Sequence, residues 1–138
     1  MKKVFLLFSV VILSACETGE PWKKSQLIEP YELSEIITSG LDQPVIISIG
    51  PAGLIKNSVE VGECRLTENL TKLSDKISGI SKNSDIVLYC GCCPFKDCPN
   101  IRPAFSLLND LGFKNHRLLN LSNNLKTDWI DKNYPIIN

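Results

Sequence analysis

Histidine is almost absent from this 138-residue chain, His116 being the single one. A Cys–His nucleophile pair would depend wholly on it. Its position just before the last strand predicted below suits a surface or capping role better than acid–base work. Net charge is missing too, because 15 Lys and Arg balance 15 Asp and Glu. No general field then favours nucleic acid or an anionic surface, and no nucleic-acid partner is expected. There is no internal repeat and no low-complexity tract, so the chain reads as one domain's worth of sequence with enough apolar content for a core. The longest early apolar segment, Val4 to Leu13, is too short for a comfortable membrane span.

That early segment reads instead as a targeting signal, with Lys2 and Lys3 as a basic start and small residues after the apolar stretch. Its end, Leu13-Ser14-Ala15-Cys16, resembles the lipobox of bacterial lipoproteins. The resemblance implies cleavage before Cys16, diacylglycerol on its sulfur, and usually a further acyl chain on its amine; two or more chains suffice for stable anchoring. The expected organisation is a signal peptide over 1–15, a lipidated polar tether over 16–25 and a globular domain over 26–138. Trp22 falls in the tether, where either membrane or domain could meet it. The alternative is an ordinary secretory signal with Cys16 incidental.

What the sequence does have is cysteine, concentrated in Asp85 to Phe105, DIVLYCGCCPFKDCPNIRPAF. Ile86-Val87-Leu88-Tyr89 has the length and β-branched content of a buried strand. The run stops at Cys90, and Cys92, Cys93 and Cys98 follow among Gly91, Pro94, Pro99 and Asn100, which is loop punctuation. Ala104 to Leu111 then predicts a helix opened by Asn100 or Arg102, with Pro103 tolerated in its first turn. A thiol is thus expected where a buried strand hands over to a helix N-terminus, a place suited to negative charge.

The rest of the domain alternates strand and helix. Ser25 to Ile28 predicts a short strand, and Tyr31 to Ser39 a helix with Leu33, Ile36 and Ile37 on one face, ended by Gly40. Val45 to Ile49 predicts a buried strand, Leu54 to Val61 an irregular or weakly extended segment. Leu66, Leu70, Leu73 and Ile77 recur at helical spacing. Arg117 to Leu121 predicts the last strand, and Lys126 to Lys132 a final helical turn or two. Strands alternating with helices imply an α/β domain, its mostly parallel sheet covered on both faces. Ligands of such sheets gather at the carboxyl ends of strands, where Cys90 lies.

The order of elements over about residues 26–137 resembles the rhodanese (sulfurtransferase) family. The likeness rests on the strand ending Tyr89-Cys90, the helix ending Leu111-Gly112-Phe113, the strand after it, and the late Trp129 followed by Tyr134-Pro135. It implies a rhodanese-like three-layer fold, with Cys90 as a nucleophile carrying a transferable sulfur as a persulfide and loop amides holding the anion. The chain departs from the family in several places. Ser48-Ile49-Gly50-Pro51 stands where the family usually has an Asp and an Arg. Leu54-Ile55-Lys56-Asn57-Ser58-Val59 replaces its His-Ile-x-Gly-Ala segment, and Ser122-Asn123-Asn124 its Gly-Gly pair. The active loop is several residues longer and carries three additional cysteines.

The residues support a reactive Cys90 independently, since thiolates are favoured near helix N-termini, amide clusters and cations. The candidate anion- and persulfide-binding loop comprises Gly91, Cys92, Cys93, Lys96, Cys98, Asn100 and Arg102, with Lys96 and Arg102 as cations. The bland alternative is that Cys90 fills core space. Once Cys16 is set aside, five of the six cysteines remain, an odd number that leaves at least one thiol unpaired in an oxidising compartment. With Cys90 free, the other four allow three pairings. One needs a Cys92–Cys93 bridge between neighbours, which the preferred Cα separation disfavours. The remaining schemes tie Cys64 to Cys92 or Cys93, with Cys98 taking the other. The loop cysteines therefore admit structural disulfides, a thiol that resolves Cys90 by disulfide exchange, or a soft-metal site whose spacing does not match common zinc modules. Disulfides rank first and no metal or other cofactor is expected. Asp97 is as plausibly a solvated turn residue as a loop organiser, and Trp129 and Phe113 read as core.

Two functions follow as expectations. One is a monomeric, lipid-anchored sulfurtransferase of the bacterial envelope, facing periplasm or exterior, taking sulfur from a small donor to a thiol acceptor. The other keeps the scaffold for thiol redox or soft-metal binding. The lipobox makes the first prediction: the full chain fractionates with membranes and needs detergent for release, whereas Cys16→Ala appears in the soluble fraction. Wild-type protein soluble without detergent would refute the anchor.

Overall fold

The protein is described by a computed structural model over residues 19–138. Cys16 and the lipobox lie outside the described residues. The strands are β1 (Leu27–Ile28), β2 (Val45–Ser48), β3 (Ser58–Glu60), β4 (Asp85–Tyr89) and β5 (Asn115–Leu119). They form one sheet in the order β1-β5-β4-β2-β3, every pair parallel. The helices are α1 (Pro30–Ser39), α2 (Thr67–Ile77), α3 (Ile101–Asp110) and the short α4 (Leu125–Asp128). Among the described residues no helix is long and apolar enough to cross a membrane.

Helix boundaries follow local chemistry. Pro30 opens α1 with its φ already fixed for a helix, the Glu32 carboxylate accepts a hydrogen bond from the Glu29 amide, and Gly40 ends the helix in the left-handed region at φ 70°. Helix α3 starts at Ile101, earlier than the Ala104 expected, because Pro103 in the first turn removes only an amide that has no helical partner.

The central strands are apolar on both sides, and their alternation sorts the core into two layers. Ile47, Ile86, Leu88 and Leu118 point to the side covered by α2 and α3, where Leu73, Ile77, Phe105 and Leu108 meet them. Ile46, Val87, Tyr89 and Leu119 point to the side of α1 and α4, against Leu33, Ile37, Leu125 and Trp129. The result is the expected α/β three-layer domain, with a sheet that is wholly parallel. Trp129 and Phe113 are core, as read from the sequence.

Two expectations are corrected and one is sharpened. Residues 24–26 form a 3₁₀ turn, so the first strand shrinks to Leu27–Ile28. The stretch read as irregular or weakly extended is sharpened to a three-residue edge strand, β3, paired with β2. The tether is not free over its last part. Trp22 packs its ring 6.0 Å from Phe95 and 5.9 Å from Phe105, Glu20 binds Arg102 at 2.6 Å, and the Pro21 carbonyl accepts from Asn109 at 2.8 Å. The domain therefore begins near Glu20, because an indole with two aromatic neighbours gains more by docking than by solvation.

Trp22→Ala is expected to lower unfolding stability by about 1–3 kcal/mol in urea denaturation, below the cost of a fully buried Trp because its site is partly exposed. A Trp22 that touched only membrane would leave stability unchanged.

Candidate active site

The side-chain parity of β4 decides where the candidate nucleophile goes. Cys90 follows Tyr89 and keeps the phase of Ile86 and Leu88, so its thiol enters the α2/α3 layer with Cys64, Cys98 and Ile101. It exposes only 1% of its surface. On one side it lies against Gly50, where a Cβ would come within 2.6 Å of the Cys90 sulfur. Cys92 lies above it, its sulfur 3.3 Å away and exposed to solvent.

The loop between β4 and α3 is held at fixed points. The Phe95 amide donates to the Leu121 carbonyl at 3.0 Å, and the Leu125 amide donates to the Gly91 carbonyl at 3.0 Å. Gly91 is required there, since a Cβ would stand 2.7 Å from that of Leu125. Residues 95–97 form a 3₁₀ turn that buries Phe95 and leads into the buried Cys98. Asn100 precedes α3 as expected but does not cap it with its side chain. Its carbonyl oxygen accepts from the Arg65 amide at 3.0 Å, which turns its NH₂ toward the Cys90 sulfur at 3.5 Å.

These contacts bias Cys90 toward the thiolate. The Cys98 thiol donates to its sulfur, the Cys92 amide and the Asn100 side chain add hydrogen bonds, and together they outweigh burial and bring its pKa down to about 5. Cys98 is correspondingly held protonated by donating to Cys90 and by burial. Burial, then the neighbouring Cys90 charge, pushes the Cys64 thiol up to about 12. One thiol of the group is thus selected as the anion.

Several expected contributors stand elsewhere. Arg102 is committed to Glu20 and lies 5.4 Å over the Trp22 ring, and Lys96 sits exposed beside Phe95. Neither is what lowers the thiol; neutral hydrogen-bond donors do that, because a buried anion is best matched by groups already at the site. Asp97 is exposed, as a turn residue would be. His116 is neither surface nor cap but 2% exposed within β5, its Nε2 2.8 Å from Asn109 Oδ1 and its ring 4.5 Å from Phe105. Burial lowers its pKa. It pairs with Ile86 at the opposite end of β4, which removes it from any partnership with Cys90.

The cysteine pairings are corrected as well. Cys64, Cys90, Cys92, Cys93 and Cys98 are all free. Cys64 does not reach across to Cys92 or Cys93; it is buried, with its sulfur 4.0 Å from the Asn69 carbonyl. Cys92 and Cys93 sulfurs lie 3.2 Å apart, in contact but unbonded. The sulfurs of Cys90, Cys92 and Cys98 all lie within 4.8 Å of one another. One site residue escaped the sequence reading of roles: Gly50 was visible only as a strand boundary. Asn100, expected in the anion-binding loop, stands at the Cys90 sulfur.

No family model matches the chain, and no curated protein matches it in sequence. Solved structures do. A rhodanese-like domain from Anabaena sp. superposes with a TM-score of 0.58 at 18% identity, over 81% of this chain and 78% of that one. A protein from Bacillus halodurans gives 0.60 at 19%, over 82% and 77%. The polysulfide-sulfur transferase homodimer from Wolinella succinogenes gives 0.52 at 18%, over 80% and 77%. The domain accordingly has a rhodanese-like fold, with a cysteine-rich cluster at the carboxyl end of its central strand.

The depressed Cys90 pKa sets a pH dependence. In the unfolded chain a thiol ionises near about 8.5. Between that value and the folded pKa of about 5 only the unfolded chain carries the proton, so stability rises with pH across this window. Cys90's contribution is lost as pH falls through about 5. Cys64 acts oppositely: its contribution is full below the unfolded pKa and lost as pH rises toward about 12. Denaturant midpoints are expected to rise from mildly acid pH toward a maximum at mildly alkaline pH. An ultraviolet thiolate absorbance step centred near pH 5 should vanish in Cys90→Ser. The absence of a step near pH 5, or a step there that survives in Cys90→Ser, would refute the assignment.

Proposed function

We propose that the protein is a lipid-anchored sulfurtransferase in which Cys90 takes a sulfane sulfur from a small donor, holds it as a persulfide and passes it to a thiol. The observation that carries this reading is the placement of the buried Cys90 sulfur at the end of β4, with the Asn100 side-chain nitrogen 3.5 Å and the Cys92 sulfur 3.3 Å from it, surroundings that lower its pKa. A nucleophile with a lowered pKa at the carboxyl end of a parallel strand is a strong candidate for chemistry. The rhodanese-like fold supports the sulfur chemistry, as does a fold neighbour described as a polysulfide-sulfur transferase.

The reaction balances without a redox cofactor. The Cys90 thiolate attacks the outer sulfur of thiosulfate or a polysulfide, and the donor's S–S bond breaks with its electron pair leaving on sulfite or the shortened polysulfide. The persulfide anion then sits where the thiolate was, against the same donors. An acceptor thiolate attacks the outer sulfur, takes it as its own persulfide and returns the electron pair to Cys90. Cys92 is the exposed side chain over this path, so its rotation opens the approach. Lipid on Cys16 would hold the domain at the envelope membrane, and the chain would work as a monomer.

The 3.3 Å separation of the Cys90 and Cys92 sulfurs favours a second reading, in which the two thiols reduce a disulfide partner and become a disulfide themselves. Mass spectrometry of the full chain after thiosulfate or polysulfide separates the two. Sulfur transfer predicts one added sulfur on Cys90 that cyanide removes, and Cys90→Ser is expected to lower transfer by about a thousandfold or more. Unchanged transfer in that variant refutes the proposal, and a Cys90–Cys92 disulfide with no sulfur gained supports the alternative.

A further inference from the structure

We infer that Cys90, Cys92 and Cys98 form a three-thiolate site for a soft monovalent metal ion, Cu(I). The site is independent of sulfur transfer, although both use the Cys90 thiolate. Its starting point is the mutual distance of the three sulfurs, all within 4.8 Å. At a metal–thiolate distance of about 2.3 Å, three sulfurs in a plane around one ion stand about 4 Å apart. The 4.8 Å limit on the three separations admits that value. The Cys90–Cys92 pair, at 3.3 Å, is the one that must open, and Cys92 is the exposed member, on a loop.

The donor set selects the ion. No imidazole belongs to the cluster, since the sole histidine lies at the far end of the sheet, and Asp97 is turned to solvent. Sulfur alone favours soft ions over magnesium, calcium or manganese. Three sulfurs rather than four favour Cu(I) over zinc, whose structural sites close with a fourth ligand. Cys93 does not complete such a set, because its sulfur touches Cys92 but is not among the three mutually close ones.

The surroundings are those of a built site. Cys90 and Cys98 are buried and fixed, one by β4 and the other by the turn before α3. Asn100 reaches the Cys90 sulfur while held by the Arg65 amide, which gives that ligand an outer-shell donor. Of the three, Cys92 alone is open to solvent, so an ion arrives on Cys92 and moves inward by ligand exchange, Cys92 and Cys98 giving their protons to solvent while Cys90 binds as the thiolate it already is. Copper on Cys90 occupies the lone pair that would attack a sulfur donor, so Cu(I) and sulfane sulfur exclude each other.

The test is anaerobic titration of the reduced full chain in detergent with Cu(I), in competition with a chromophoric Cu(I) chelator. The expected result is one Cu(I) per chain, with an X-ray absorption spectrum of sulfur neighbours only, three in number. Cys92→Ala, at an exposed position with little folding risk, is expected to weaken binding about 100-fold or more, at or beyond the cost of losing an outer-shell partner. Cys98→Ser should do the same, its fold checked by circular dichroism, while Cys93→Ala leaves affinity unchanged. Failure to compete with the chelator overturns the inference, as does binding that Cys92→Ala leaves intact or preference for Zn(II). The titration contains no sulfur donor, so it is separate from the thiosulfate experiment: a chain that binds Cu(I) here but gains no sulfur from thiosulfate or polysulfide there refutes only sulfur transfer, and the reverse pattern refutes only copper.

Discussion

A buried thiolate must be matched by donors that are already in place, and the structure around Cys90 is arranged to meet that demand. Burial by itself would raise the pKa of this thiol, as it does for Cys64 a short distance away. What separates the two is hydrogen bonding. Cys64 has only a distant carbonyl near its sulfur, an acceptor that does nothing for an anion. The Cys90 sulfur meets the Asn100 carboxamide N–H and the Cys92 thiol, and hydrogen bonding, that from Cys98 foremost, outweighs burial there. The donors come from three separate points of the chain, residues 92, 98 and 100, so the loop has to fold before the anion is stable. Thiolate and loop geometry therefore support each other.

That dependence explains why the long cysteine-bearing loop is compatible with a reactive residue. It is tied to the α1/α4 side of the molecule at its start, through Gly91 and Leu125, and at its middle, through Phe95 and Leu121, and Phe95 is buried there. Trp22 then closes over Phe95 and Phe105, which makes the segment after the proposed lipid tether part of the wall behind the loop. The segment around Trp22 is thus packed against the loop that carries the site. Free thiols are concentrated where the sheet, the loop and α3 converge, and the same convergence is the basis of both proposals, the sulfur-carrying nucleophile and the soft-ion ligand set. The two uses compete for one electron pair, and Cys92 is the exposed group that sits over both.

Much of this was legible in the residues. The apolar run of β4 and its stop at Cys90 placed the thiol at a strand end, and the alternation of strands with helices gave the parallel three-layer domain. Glycine and proline marked the loop and both ends of α1. Less legible were elements whose existence depends on partners: β3 has no strand pattern of its own and forms because β2 offers an edge. The cations Lys96 and Arg102 looked suited to the anion by proximity in sequence, yet one faces solvent and the other is taken by Glu20. His116 looked like a surface residue because a single polar side chain at a strand start carries no sign of which ring it will stack on.

The sequence by itself determined that a cysteine ends a buried strand, that a loop rich in thiols follows, and that a helix comes after it, opened by Asn100 or Arg102. Those features are local, written in strand length, proline and glycine, and need no distant partner. Only the tertiary structure decided which groups hold the anion, that Cys64 stays apart from Cys92 and Cys93, and which three sulfurs gather. Each of those depends on side-chain direction. The two-residue period of β4 sends Cys90 into the α2/α3 layer, and the Arg65 amide fixes Asn100 so that its nitrogen faces the sulfur. Pairings between residues far apart in the chain are set by packing, which no short stretch of sequence encodes.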